Sequence, residues 1–193
     1  MESVSRPEWA SPLVVGKHAR EFLSALPKNP TKEVLSSLSG DHGMLSLLER
    51  HPLSRVELSG RLPQSWNGQY DRLSRDLTVD AFRPPETYGK EFVPGKLASV
   101  SEAGRNLAEA MQRSLYHELG HHVLEIAGPD AQHQVERLLR SGRALPISLR
   151  ARKRGVEYFS ETLAAYRFED SLADKDPEGY DMVEAILRLV GKK

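Results

Sequence analysis

Apolar positions recur at helical spacing in the first quarter of the chain, at strand spacing in the second, and at helical spacing again toward the end. Ser11-Pro12 forms a cap and first-turn pair ahead of Leu13, Val14, Phe22, Leu23 and Leu26, which predicts a helix closed by Pro27. Two shorter helices are expected from Thr31, with Val34, Leu35 and Leu38, and from Asp41, with Met44, Leu45, Leu47 and Leu48; both open on a side chain that can cap. Beyond Pro52 the period shortens. Arg55 to Leu58 alternates polar and apolar. After the Asn67-Gly68 turn signal, Leu73, Leu77 and Val79 sit among Ser, Arg, Asp and Thr, which predicts an exposed edge strand.

The Pro- and Gly-rich stretch from Phe82 to Gly95 reads as an irregular excursion. Ser101-Glu102 then opens a long helix with Leu107, Met111, Leu115, Leu119, Val123 and Ile126 as its apolar stripe, closed by Gly128-Pro129. A helix from Pro129 to Arg140, a basic loop, and helices from about Val156 to Ala173 and Pro177 to Val190 complete the chain. The expected class is α+β: an N-terminal helical segment over 1–51, and over 52–193 a small twisted sheet packed on the long helix with further helices after it, the two forming one compact unit.

Composition narrows the chemistry. A chain of 193 residues buries a core without disulfides, so a metal is not needed to hold the fold together. Lys+Arg and Asp+Glu both number 27, and this balance argues against global attraction to nucleic acid or an anionic membrane. With no Cys, any metal must be held by His and carboxylate. The first residues show no signal-peptide pattern and no stretch is long and apolar enough to span a bilayer, so a cytoplasmic or virion-associated protein is expected. Oligomeric state stays open.

Within the long helix stands His117-Glu118-Leu119-Gly120-His121. At 3.6 residues per turn the two imidazoles lie about 40° apart around the axis, so both reach one Zn²⁺, and Glu118 points to the flank where a water would sit. A catalytic zinc takes a third protein ligand. Glu157 is the candidate: Glu157-Tyr158-Phe159-Ser160-Glu161 places two carboxylates one turn apart on a helix anchored by Tyr158, Phe159, Leu163 and Tyr166. Glu161 would then hydrogen-bond the outer N–H of a ligand histidine.

HELGH followed a few tens of residues later by EYFSETLAAY resembles the gluzincin metallopeptidases, in particular the lethal-factor-like group and the peptidase domains associated with phage head-morphogenesis proteins. The resemblance spans roughly Arg55 to Asp170, and only the two motifs are specific. It implies a zincin-like fold and peptide-bond hydrolysis, with His117, His121 and Glu157 as zinc ligands and Glu118 as general base. Lethal-factor-like enzymes place a Tyr shortly before the ligand Glu to stabilise the oxyanion. This chain has no Tyr between Gln134 and Gly155; Arg150 is the candidate there, with Tyr158, Tyr166, Tyr88 and His133 as alternatives. The expected partner is a peptide or protein substrate, extended along the edge strand.

Other signals have plainer explanations. His122 faces the apolar side of the motif helix, as a packed, hydrogen-bonded core residue does. His18, His42, His51 and His133 lack metal-type spacing, and Trp9 and Trp66 suit core or cap positions. The basic run Arg150 to Arg154, with Arg137, Arg140 and Arg143 upstream, is ordinarily a solvated loop. Two rival functions follow: a zinc-binding assembly module without turnover, of phage-particle type, or a zincin-fold regulator contacting nucleic acid through that basic loop.

Overall fold

The computed structural model describes residues 13–15, 34, 38, 40–59, 68–80, 107–146 and 148–192. Among them are four strands, β1 (Leu13–Val15), β2 (Arg55–Ser59), β3 (Gly68–Asp71) and β4 (Asp76–Asp80). They form one sheet in the order β1-β2-β4-β3. β1/β2 and β2/β4 are parallel, whereas β3/β4 is an antiparallel hairpin turning through Arg72–Arg75. Helices and strands are thus mixed, as an α+β chain requires.

Three local expectations change. Leu13 and Val14 lie in β1, not in a helix: the Leu-Val-Val run is rich in β-branched side chains and its backbone pairs with Val56 to Leu58. The rest of that expected helix, the Phe82 to Gly95 excursion, Ser101-Glu102, Trp9, His18, Trp66 and Tyr88 lie outside the described residues. Leu73 to Val79 is not an edge strand. Leu73 sits in the hairpin turn, 94% exposed, while Leu77 and Val79 are fully buried on β4 between β2 and β3. Among the described residues the edge strand next to β4 is β3, which begins at Gly68, where turn chemistry had suggested a reversal, and β1 forms the opposite edge. Finally, the helix expected to reach Ala173 stops at Phe168. There Phe168 packs edge-on against Tyr116, with ring centroids 5.3 Å apart, and Glu169 pairs with Arg113 at 3.1 Å. Continuing the helix would rotate these groups off their partners.

The remaining helices are α1 (His42–Arg50), α2 (Leu107–Ala127), α3 (Pro129–Arg140), α4 (Gly155–Phe168), α5 (Leu172–Lys175) and α6 (Pro177–Val190). Asp41 caps α1 by accepting from the Met44 N–H at 3.0 Å. Val34 and Leu38, one turn apart, are buried with Met44, Leu47 and Leu48. Gly128 separates α2 from α3 at φ 96°, a left-handed conformation that glycine adopts without steric cost.

α2 is the central element. It packs on β3 and β4 on one side and on α4, α3 and α6 on the others. Met111, Leu115, Leu119 and Val123 are all buried along its stripe. The sheet's pleat decides what meets it. Gly68 and Tyr70 stand opposite Val79 and Leu77 in the antiparallel register, so they share the face that β2 and β4 bury with Val56, Leu58, Leu77 and Val79. No helix among the described residues is long and apolar enough to cross a membrane.

Candidate metal centre

α2 and α4 lie against each other through Gly120 and Ser160. A Cβ at Gly120 would fall 2.6 Å from the Ser160 Cα, closer than any side chain permits, so the fourth position of the motif sets how near the two helices come. That approach brings their polar residues together. His117 Nε2 lies 3.4 Å and His121 Nε2 4.0 Å from Glu157 Oε2. One ligand atom from each of the three residues falls within 4.8 Å of the others, so the cluster could hold a metal ion. Two imidazoles and a carboxylate suit zinc chemistry, for which bonds near 2.0 Å in a tetrahedron put ligand atoms about 3.3 Å apart. Glu157 Oε2 is buried and makes no well-formed hydrogen bond among the described residues, leaving its lone pairs for a cation.

The electrostatics agree. Burial favours the neutral His121 imidazole and proximity to His117 adds to this, together lowering its pKa to about 3 and leaving a free lone pair at neutral pH. His117 moves the other way. Burial opposes its protonation, but the contact with Glu157 and the fields of Glu118, Glu157 and Glu161 outweigh that and raise it. Glu157 is pulled down to about 2, its burial cost overcome by His117, His121 and Arg150. The shifts of His117 and Glu157 are opposite in direction, as expected of a histidine and a carboxylate in contact at 3.4 Å.

Glu118 is 6% exposed and stands 4.0 Å from His121 Nε2. Desolvation raises its pKa to about 7, with Glu157 adding to the rise and His117, Arg150 and the Tyr70 backbone N–H opposing it. A carboxyl poised there can both take and return a proton near neutrality. Its seat is made by an absence: a Cβ at Gly68 would lie 2.6 Å from Glu118 Cγ and 2.7 Å from Oε1.

Around the ligands runs a polar circuit. Arg150 Nη2 donates to Glu157 Oε1 at 3.0 Å, with half of the arginine side chain exposed. Ser148 Oγ donates to Glu161 Oε1 at 2.6 Å and accepts from the Arg150 and Ala151 N–H groups at 3.2 and 3.1 Å. The turn that carries Arg150 is thereby tied to the residue one helical turn beyond Glu157. Glu161 is buried on the same face as Glu157 and acts on His117 through its charge. Ser148 was not singled out from sequence; its signal is a hydroxyl two and three residues ahead of the N–H groups it accepts from.

His122 is fully buried, as its place on the apolar side of α2 predicts. Its Nε2 lies 2.8 Å from the His51 carbonyl and its Nδ1 2.9 Å from the Tyr70 hydroxyl. Tyr70 also donates to Glu125 at 3.1 Å and so pins β3 to α2. It too escaped the sequence reading, because β3 did.

The structure does not bring two of the candidate oxyanion donors to the centre. The Tyr158 hydroxyl is buried and donates to Asp176 at 2.8 Å. The Tyr166 hydroxyl donates to Glu184 at 2.8 Å. His133 is exposed on α3. Arg150 alone of the named candidates, among the described residues, borders the cleft, of about 350 Å³, that β3 and the α2 face enclose with Glu118, His121 and Glu157. No protein-family model matches the sequence, and no curated protein matches it.

Proposed function

We propose that this protein is a zinc-dependent metalloendopeptidase of gluzincin type on a zincin-like fold. One observation carries the proposal: a buried carboxyl, Glu118, lies beside a His117–His121–Glu157 donor set, and Glu118, His121 and Glu157 line an open cleft. A bare binding site has no use for a base in that position.

Zinc held by His117, His121 and Glu157 would supply Lewis acidity, acidifying a water and polarising the scissile carbonyl. Glu118 accepts the proton from the attacking water and later delivers it to the leaving amine. Arg150 engages Glu157 through one Nη and borders the cleft, and its other N–H groups are the donors assigned to a developing oxyanion, the role that a tyrosine has in lethal-factor-like enzymes. An extended substrate pairs with the edge of β3 that carries no partner strand among the described residues and that passes Glu118 at Gly68.

Metal content of purified wild type and Glu157→Ala, with peptide-library cleavage by wild type and Glu118→Gln, tests this. Near-stoichiometric zinc lost in Glu157→Ala and cleavage abolished in Glu118→Gln are expected. Zinc without cleavage would transfer the site to a binding module, and absence of zinc would remove the proposal.

A further inference from the structure

The cleft has two walls, and both carry guanidinium groups. Arg72 closes the β3 wall where the strand turns into the hairpin, and Arg150 stands opposite, beside Glu157. Arg75 lies behind Arg72 in the same turn, near enough for both charges to act on Tyr70. Neither Arg72 nor Arg75 has a carboxylate partner among the described residues. Arg152, Lys153 and Arg154 follow Arg150 on an exposed turn and extend the positive surface away from the cleft.

Of the carboxylates facing this space, Glu157 is paired with Arg150 and contacts His117, and Glu118 is buried against Gly68. Glu125 keeps its charge while accepting the Tyr70 hydroxyl, and beside Tyr70 the two guanidinium groups of Arg72 and Arg75 outnumber it. A divalent cation at the centre adds further positive charge. Gln69 and Gln132 also line the cleft, and both are neutral. An occupant of opposite sign therefore gains at both ends of the cleft, and low-dielectric walls concentrate the effect. From Gly68, beside Glu118, to Arg72 is four residues of extended chain, about 13 Å, the span of a peptide of the same length laid along the edge.

We propose that the cleft selects polypeptide segments carrying acidic side chains, read by Arg72 on one wall and Arg150 on the other. This rests on the peptidase reading above and names its substrate class. A polypeptide fits better than a nucleic acid, because the cleft offers a strand edge for backbone pairing. The one tyrosine among its lining residues has its hydroxyl tied to α2, and single strands are ordinarily held by stacking on free aromatic faces.

The test uses the full chain loaded with zinc and fluorescein-labelled peptides that differ only in having Glu, Gln or Lys around a common centre. Binding is read by anisotropy on Glu118→Gln, and cleavage on wild type. The Glu peptide is expected to bind about tenfold more tightly than the Gln peptide, with the Lys peptide weakest and the spread shrinking at high salt. Arg72→Glu, added to the Glu118→Gln background, should erase the preference and Arg72→Lys keep it, with thermal unfolding of both variants matching that of the parent. Acidic binding with no cleavage by wild type would sink the peptidase reading and leave the acidic preference standing. Cleavage indifferent to charge would do the reverse. Absence of peptide binding, or tighter binding of an oligodeoxythymidylate of equal charge, overturns the inference.

Discussion

Replacing Gly120 by Ala places a methyl group 2.6 Å from the Ser160 Cα and 2.9 Å from its Oγ. The first of these is backbone, so no rotamer change relieves it. Ordinary contact begins near 3.4 Å, and α2 and α4 must therefore separate by about 0.8 Å. Two terms oppose each other in stability. Alanine gains about 1 kcal/mol over glycine within a helix, whereas overpacking costs roughly 1–3 kcal/mol. The net loss is at most about 2 kcal/mol, or a Tm fall of up to roughly 8 °C for a chain of this size. The metal centre is less forgiving. His117 and His121 flank Gly120 on α2, and Glu157 lies on α4 one turn before Ser160, so the separation falls on the ligand distances, for which tolerances are about 0.2 Å. Zinc affinity should drop by about 10- to 100-fold, read by competition with a chromophoric chelator alongside thermal unfolding. Gly43→Ala on α1 is the control, because among the described residues its methyl meets only Asp41 Oδ1, at an ordinary 3.6 Å, and should cost nothing. Wild-type zinc affinity in Gly120→Ala would refute the idea that this residue sets the spacing of the site.

Other predictions follow from single contacts. Gly68→Ala should lower cleavage at least tenfold while zinc stoichiometry holds, since the three atoms nearest the new methyl all belong to Glu118; unchanged turnover would show that the glycine seat is irrelevant. Tyr158→Phe leaves the buried Asp176 carboxylate short of a donor, so unfolding should cost about 1–3 kcal/mol more in wild type, with kcat unchanged; a selective loss of kcat would restore Tyr158 to the site. Zinc uptake should strengthen with pH, because His117, raised above 6.5, must release its proton to the solvent. The metal-free protein has the opposite dependence on that group: the stabilisation from protonated His117 is fully present below 6.5 and is lost as pH rises through the folded value. Paired zinc titrations and chemical unfolding across that window check both signs. On the acid side the Glu157 share of the same pair is present above 4.5 and fades as pH falls toward 2.

What could be read without coordinates was local. Two imidazoles four residues apart on a helix, a carboxylate between them, and a paired Glu157 and Glu161 on a later helix depend only on helical period, so all five positions were legible. The same holds for Asp41 as a cap, for Gly128-Pro129 as a boundary and for buried His122. Tertiary structure decided everything that depends on two elements meeting. Whether Leu13 to Val15 became strand or helix turned on pairing with Val56 to Leu58. The identity of the edge turned on strand order, which set β3 and not β4 beside the cleft. Gly68 and Gly120 look alike in sequence to any loop or helix glycine; only the approach of Glu118 and Ser160 gives them a role. Ser148 and Arg150 belong to the centre because a turn is tied to Glu161 and Glu157 across a helix face. Periodicity tells which side of an element is buried, but the partner that buries it is chosen by the whole fold.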